Sequence, residues 1–107
     1  MMAKIGIDIV ENKRINLNDK FLKKFLHKNE FILLSKLESQ EAKIKFIAGR
    51  WAAKEAIIKC IENKVVSNSI NIVYQNEKPI IENKEYENIE ISISHEENYS
   101  VAVALNL

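Results

Sequence analysis

Hydrophobic and polar positions follow two different periods along the chain, and these periods predict its secondary structure. Residues 3–10 alternate, which predicts a strand with isoleucines on one side and Gly6 and Asp8 on the other. Helical spacing then predicts a short amphipathic helix at 18–26 and a second helix at about 29–37. Alternation returns in the second half of the chain. The strands predicted there cover residues 69–74, 80–81, 89–94 and 99–105.

Gly6 and Asp8 share one face of the first strand, and this combination indicates a site. Aspartate is disfavoured within strands. A glycine two residues before it leaves room on the same face, as expected where a ligand approaches. The alternative is a strand-end aspartate that caps a neighbouring loop.

One long helix is predicted from about Glu41 to Glu62, in a segment without proline. Placed at steps of about 100°, its residues form two apolar faces rather than one. The first face contains Phe46, Gly49, Ala53, Ala56, Ile57 and Cys60, and the second contains Ile44, Ile47, Ala48, Trp51 and Ile58. We therefore expect one face to contact the core of its own subunit and the other to need a second subunit or a ligand.

Glu55 falls in the middle of the second apolar face, and Lys59 follows one turn later. A carboxylate on a buried face is costly unless a cation or a metal ion pairs with it. An ordinary exposed pair between Glu55 and Lys59, worth only about 0.2–0.5 kcal/mol, remains the alternative. Arg50 and Lys54 lie along the edge of the same face.

The order of elements predicts a single α+β domain, residues 1–107, in which a small antiparallel sheet packs on the long central helix. Hydrophobic residues make up 47% of the chain, which excludes a disordered protein. No window approaches the ~18 consecutive apolar residues that a membrane-spanning helix needs. The single cysteine, Cys60, and the lack of a signal-peptide pattern favour a cytoplasmic protein.

The net charge of +1 conceals a basic segment. Residues 13–28 hold one acidic side chain, Asp19, and six basic ones: Lys13, Arg14, Lys20, Lys23, Lys24 and Lys28. Such a segment on a nearly neutral protein indicates an acidic partner, although a solvated helix face gives the same pattern. Arg14 and Arg50 are the only arginines beside 14 lysines, and a planar guanidinium suits phosphate or carboxylate recognition.

Three segments carry motifs in a characteristic order and spacing: Gly6–Glu11, Gly49–Lys59 and Ile91–His95. Their combination of Gly-x-Asp, aromatic-Ala-x-Lys-Glu-Ala-x-x-Lys and Ser-x-Ser-His resembles the 4'-phosphopantetheinyl transferases, specifically the short bacterial holo-[acyl-carrier-protein] synthases. The resemblance spans nearly the whole chain. The chain departs from the family in lacking a glycine-rich segment after the long helix and in having Glu77 in the usual Gly-Lys-Pro turn.

The resemblance implies the 4'-phosphopantetheinyl transferase fold and a specific reaction in fatty acid and lipid biosynthesis. The phosphopantetheine arm of coenzyme A moves onto a serine hydroxyl of apo-acyl carrier protein, and adenosine 3',5'-bisphosphate leaves. By the same resemblance, Asp8 and Glu55 are expected to bind Mg²⁺, and Lys59 to stabilise charge on the phosphates or the leaving group. By general acid–base chemistry, a carboxylate or a metal-bound water held by one could accept the serine proton, and Glu55 is favoured for that role.

Further roles follow from matched positions. Arg50, Lys54 and His95 are expected to hold the phosphates of coenzyme A. The acidic helix of the carrier protein is expected to bind Arg14 and the basic helix that carries Lys20, Lys23 and Lys24. Because half-length members of the family assemble as trimers, the resemblance also implies a homotrimer with coenzyme A between subunits.

The residue types suit this chemistry, and rival functions remain. Mg²⁺ prefers one or two carboxylates, completed by water and substrate phosphate, and the sequence has no Cys/His cluster that would indicate zinc. A non-enzymatic oligomeric protein that binds an acidic partner is the alternative from another class. A nucleic-acid binder is disfavoured by the near-neutral charge and the lack of an aromatic stacking array. A different Mg²⁺-dependent phosphotransferase or pyrophosphatase is a third interpretation. The sequence has no phosphate-binding glycine loop of the P-loop kind, which disfavours nucleoside triphosphate chemistry.

Overall fold

A computed structural model describes residues 2–107 as one long helix, a three-stranded sheet, a separate hairpin and two short helices. In chain order the elements are β1 (Lys4–Glu11), α1 (Asp19–Leu22), α2 (Lys28–Ser35), α3 (Gln40–Lys59), β2 (Ile72–Gln75), β3 (Lys78–Ile81), β4 (Ile89–His95) and β5 (Tyr99–Asn106). Short 3₁₀ turns at Asn12–Arg14, Ser67–Ser69 and Lys84–Tyr86 lie between them.

The sheet is antiparallel, with strand order β1-β5-β4, and α3 packs across one of its faces. Small residues at the contact, such as Ala56 on α3 and Ala102 and Ala104 on β5, are fully buried there. The register places Asp8 opposite Ala102 and His95 opposite Ser100. The predicted α+β fold, with an antiparallel sheet on a long central helix, is therefore confirmed.

A second core covers the other side of α3. Trp51 stacks on Phe21 with ring centroids 5.6 Å apart and meets Phe25 edge-to-face at 4.8 Å. Ile47 of α3 and Leu34 of α2 are buried in the same cluster. Ile47 and Trp51 of the second apolar face are thus covered by the α1–α2 segment of the same chain. For these two residues the expectation of a second subunit or a ligand is wrong, because aromatic residues of the preceding segment already contact them. Ile44 and Ile58 of the same face stay partly exposed.

The outer face of the sheet is apolar and uncovered within the chain. Ile5, Ile7 and Ile9 are 68%, 61% and 64% exposed. They pair across the ladder with Leu105, Val103 and Val101 of β5. A contiguous apolar surface of this kind marks an interaction site more often than scattered single residues do.

Helix ends differ from the sequence prediction for local reasons. α1 stops at Leu22 rather than continuing to residue 26, because the backbone N–H groups of Lys24 and Phe25 bond three residues back and tighten the last turn. α2 begins one residue early. The ring of His27 caps it by accepting from Asn29 N–H.

The second half of the chain keeps the predicted hairpins with shifted ends. β2 begins at Ile72 rather than at residue 69 because the side chain of Asn83 bonds the backbone of Ser69 and Asn71 in place of a strand partner. Asn76 and Glu77 make the β2–β3 turn with positive φ angles of 52° and 66°. Over residues 2–107, none of the helices has the length and apolar character required to cross a membrane.

Candidate active site

β1 touches α3 at Gly6, and this contact positions the first candidate residue. A Cβ atom on Gly6 would overlap the carbonyl oxygen of Ala56 and lie 3.0 Å from Cβ of Lys59. The space beside this glycine is therefore filled by the helix backbone and not by a ligand, which corrects the sequence interpretation. Asp8, two residues further on the same face of β1, is held against the last turns of α3.

Lys59 links the helix to the strand. Its ammonium Nζ donates to the carbonyl oxygen of Ile7 at 2.7 Å and lies 3.5 Å from Oδ1 of Asp8. The Asp8 side chain is 20% exposed and that of Lys59 52% exposed. The long Lys59–Asp8 separation leaves the carboxylate with free acceptor capacity.

Glu55 lies one turn before Lys59 on α3 and is half-buried. Within residues 2–107, no hydrogen-bond or ion-pair partner is found for its carboxylate. The alternative of an ordinary Glu55–Lys59 pair is not what the structure contains, because Lys59 is directed to β1 instead. A half-buried carboxylate without a protein cation is costly, and a bound cation would remove that cost.

These two carboxylates fit a hard divalent cation that keeps other ligands. No group of three or more His, Cys, Asp or Glu side chains suited to a metal occurs in the described part of the chain. Mg²⁺ commonly takes one or two carboxylates together with water and substrate phosphate, so Asp8 and Glu55 are the candidates for such a partial shell.

A cavity of about 250 Å³ opens beside the end of β1. Glu11 and Arg14 line it on the strand side, and Phe21 and Trp51 line the opposite wall. The cavity thus lies between the strand that carries Asp8 and the basic segment of the chain.

The basic residues predicted to bind a partner all reach solvent. Arg14 lies in the turn after β1, Lys20 in α1, and Lys23 and Lys24 in the turn that follows α1. This arrangement leaves their cationic groups available to an acidic surface.

Arg50 and Lys54 do not join the site, which requires a correction. Both side chains are 1% exposed and both pair with Glu30 of α2, which is itself fully buried. Arg50 Nε donates to Glu30 Oε2 at 3.1 Å, and its Nη2 donates to the carbonyl oxygen of Ile72 at 2.9 Å. Their cationic groups are occupied inside the protomer and are not available to a phosphate in this structure.

Lys54 is held by two acceptors in this buried cluster. Its ammonium donates to Glu30 and to the carbonyl oxygen of Phe25. Burial lowers the pKa of Lys54, the Glu30 carboxylate opposes that shift, and the neighbouring charge of Arg50 adds to it. The cluster joins α2 to α3 and β2, so its role is to hold the two cores together.

His95 lies at the end of β4 with its ring against α3. A Cβ atom on Gly49 would lie 2.8 Å from Cε1 and 3.1 Å from Nε2 of this ring, so a side chain there would push the ring away from α3. Burial lowers the pKa of His95, and the positive charges of Lys45 and Arg50 lower it further. The ring is partly open to solvent and is the one predicted coenzyme-binding group that stays accessible.

Two residues of this region escaped sequence reasoning. Glu30 occupies position N3 of α2 and forms a capping box with the N-cap residue His27. The pattern is hard to find in the sequence because the usual cap is serine or threonine. Lys45 lies one turn before Gly49 on α3. Its proximity to His95 follows only once the ring is known to pack on Gly49.

Comparisons with known proteins show the family of the chain. The model of the 4'-phosphopantetheinyl transferase superfamily matches residues 4–104. A holo-[acyl-carrier-protein] synthase of Mycoplasma capricolum subsp. capricolum is 50% identical over 105 residues, covering 98% of this chain and 94% of the relative.

Solved structures of similar fold include two complexes. A holo-(acyl-carrier-protein) synthase of Bacillus anthracis in complex with CoA (3',5'-ADP) superposes with a TM-score of 0.85 at 33% identity, covering 95% of this chain and 93% of that one. The Helicobacter pylori synthase in complex with coenzyme A gives a TM-score of 0.72 at 32% identity, covering 94% and 96%.

Proposed function

Because the chain belongs to the 4'-phosphopantetheinyl transferase superfamily, and within it to the holo-[acyl-carrier-protein] synthases, we propose a specific reaction for it. The phosphopantetheine group of coenzyme A is transferred to a serine hydroxyl of apo-acyl carrier protein in a Mg²⁺-dependent step. Adenosine 3',5'-bisphosphate is the other product, and the modified carrier serves fatty acid synthesis. The observation that carries the proposal is the approach of Lys59 to Asp8 where β1 touches α3, with Glu55 one turn earlier on the same helix.

Asp8 and Glu55 hold the Mg²⁺ ion in this proposal. When bound, the ion neutralises charge on the pyrophosphate of coenzyme A and orients it for in-line attack. The absence of a protein partner for Glu55 and the incomplete pairing of Asp8 support this assignment. Two carboxylates from different elements would leave room for water and substrate phosphate as further ligands.

The chain's own groups complete the chemistry. Glu55 is the acceptor for the proton of the carrier serine, because within residues 2–107 no protein group pairs with its carboxylate. Lys59 stabilises negative charge on the phosphates. Its ammonium has three donors, and the carbonyl oxygen of Ile7 holds the group in place without using them all.

Coenzyme A phosphates are held by His95 and Lys45 rather than by Arg50 and Lys54. Lys45 and His95 lie close enough together for the positive charge of Lys45 to lower the pKa of His95. That mutual repulsion is relieved when a phosphate binds between them. The coenzyme A complexes of the similar synthases from B. anthracis and H. pylori support the choice of ligand.

The carrier protein docks on the basic segment. Arg14 lines the cavity beside β1, and Lys20, Lys23 and Lys24 extend the positive surface from there. An acidic carrier helix on this surface would direct its serine and the pantetheine arm toward the cavity and Asp8.

A homotrimer completes the proposal, with the outer face of the sheet as its interface. Ile5, Ile7 and Ile9 are too exposed for a stable monomer surface and form one apolar strip with β5. The sheet face thereby takes the role that the sequence analysis gave to the second face of α3. Sizing at micromolar protein concentration should give a trimer, and a monomer would contradict the assembly.

A mass measurement tests the reaction. The protein is incubated with coenzyme A, Mg²⁺ and an apo-acyl carrier protein, and the carrier is weighed by mass spectrometry. A gain of one phosphopantetheine group is expected. Asp8→Asn and Glu55→Gln should each abolish the gain, whereas Glu85→Gln, which changes an exposed carboxylate in the 84–86 turn, should leave it intact.

No gain with the carrier from the same organism would reject the proposal. The non-enzymatic alternative would then stand if the same carrier still bound the basic segment in a pull-down. Full activity in either Asp8→Asn or Glu55→Gln would overturn the site assignment while keeping the reaction.

A further inference from the structure

A chain of polar contacts runs from the turn after β1 through β5 to His95. Ser100 is fully buried in β5, and Asn12 is buried in the turn. Oγ of Ser100 lies 2.8 Å from Oδ1 of Asn12 and 2.7 Å from Nδ1 of His95. Buried polar groups need defined partners, so this chain has only a few consistent arrangements of its hydrogens.

The orientation of the Asn12 amide sets the direction of the chain. Its Nδ2 group donates to the carbonyl oxygens of Glu96 and Glu97 at 3.2 and 3.1 Å. Its backbone N–H donates to the carbonyl oxygen of Asn98 at 2.8 Å, which fixes the residue against the β4–β5 turn. Exchanging the amide oxygen and nitrogen would place an oxygen against two carbonyl oxygens. Oδ1 is therefore the acceptor that faces Ser100.

The proton positions on Ser100 and His95 follow from this. The serine hydroxyl has one hydrogen and donates it to Oδ1 of Asn12. The short contact between Oγ and the ring is then satisfied only if Nδ1 of His95 carries the proton and donates it. In the neutral ring, the unprotonated nitrogen is Nε2.

We propose that Asn12 and Ser100 are positioning residues for His95, which fix its tautomer and orientation so that Nε2 is the nitrogen presented to the substrate. The proposal deepens the proposed function, because it rests on contact between His95 and coenzyme A. A neutral ring held in this way offers only a lone pair at Nε2. A phosphate oxygen needs a donor there, so the ring that binds phosphate carries both protons and keeps its bond to Ser100.

The other histidine of the chain provides an internal control. Nδ1 of His27 accepts from the backbone N–H of Asn29 at 3.0 Å, so the proton of its neutral ring lies on Nε2. The two histidines are thus expected to hold opposite tautomers in the same protein, each set by the bond that its Nδ1 makes.

Two-bond ¹H–¹⁵N correlation spectra of the labelled full-length protein read the tautomers directly. At mildly alkaline pH, His95 should carry its proton on Nδ1 and His27 on Nε2. Ser100→Ala should convert His95 to the Nε2–H form or a mixture, with His27 unchanged. Asn12→Ala should also give a mixture, because the freed Ser100 hydroxyl can then donate to the ring.

Steady-state kinetics test whether the relay acts through His95. Ser100→Ala should raise the KM for coenzyme A about three- to tenfold with little change in kcat, as expected for loss of one hydrogen bond. In a His95→Ala background the same substitution should change KM by less than about twofold, since the two effects share one path. If Ser100→Ala changed KM by the same factor in both backgrounds, Ser100 would have only a structural role.

The outcomes separate this proposal from the proposed function. The spectra require no substrate, so an Nε2–H tautomer at His95, or an unchanged tautomer in Ser100→Ala, overturns the relay even if transfer is observed. If the wild-type protein shows no transfer activity, the proposed function is overturned, and the spectra still decide which tautomer His95 holds. Should Asn12→Ala fail to fold, Ser100→Ala, which only removes one buried oxygen, decides the proposal alone.

Discussion

Replacing Glu30 by Gln should destabilise the protein far more than it affects coenzyme A binding. The Glu30 carboxylate accepts from Arg50 Nε, from Lys54 Nζ and from the backbone N–H groups of His27 and Ile72. Glutamine keeps the shape but removes the only carboxylate that pairs with the two buried cations. The cluster then holds two uncompensated positive charges between α2, α3 and β2.

The expected loss follows from that geometry. Breaking a buried ion pair by removing one partner typically costs about 3–5 kcal/mol, because the remaining charge is left without water or a counter-ion. A loss of this size corresponds to a fall in Tm of at least about 12 °C for a domain near 100 residues. Lys54→Met should cost less than Glu30→Gln, because the carboxylate keeps Arg50 and both backbone donors.

Urea unfolding, followed by circular dichroism at one fixed protein concentration, measures these differences. Glu62→Gln is the matched control, since Glu62 pairs with Lys4 on an exposed surface and its loss should be small. The KM for coenzyme A should stay within about twofold in Lys54→Met. A stable Glu30→Gln variant, or a stable Lys54→Met variant with a KM raised tenfold or more, would refute the structural role of the cluster.

Three further predictions follow from the site and the sheet. Gly6→Ala should force β1 away from α3, destabilise the fold by about 1–3 kcal/mol and lower transfer by about 10²-fold, measured by urea unfolding and carrier mass. Ile7→Lys should give a monomer on sizing with unchanged circular dichroism, and a retained trimer would exclude the sheet face as the interface. The pKa of His95 is held below its ordinary value by burial and by Lys45 and Arg50, which face it from α3, so the free ring is neutral at pH 7. A bound phosphate favours the protonated His95 ring, so the affinity for coenzyme A should fall as pH rises. Calorimetry in buffers of different ionisation enthalpy should show that a proton is taken up on binding, and His95→Asn should remove this uptake.

The strands and the long helix could be predicted because their signals are local. Alternation from residue 3 to 10 and helical spacing through α3 each determine which side of one element is apolar, and both were found close to their predicted ends. The proximity of Asp8 to Lys59 does not follow from such signals, because the sequence predicts that Gly6 leaves room for a ligand and not for the backbone of α3.

The fate of Arg50 and Lys54 could not be predicted in the same way. Whether a cation on a helix edge turns to solvent or inward depends on what the rest of the chain places beside it. Here Glu30, 20 residues before Arg50 along the chain, is carried inward by α2 and takes both cations. Similarly, Trp51 lies on an apolar face whose cover could not be identified until α1 was seen to pack on it.

The central claim is that Asp8 and Glu55 together hold one divalent ion, and its most direct test is to count the ions bound there. Mn²⁺, a paramagnetic substitute for Mg²⁺, is titrated into the protein with saturating coenzyme A, and bound ions are measured by electron paramagnetic resonance. The account predicts one ion per chain in the wild type and in Glu85→Gln, and loss of that ion in both Asp8→Asn and Glu55→Gln. Binding of Mn²⁺ to either of these last two variants as tightly as to the wild type would contradict it.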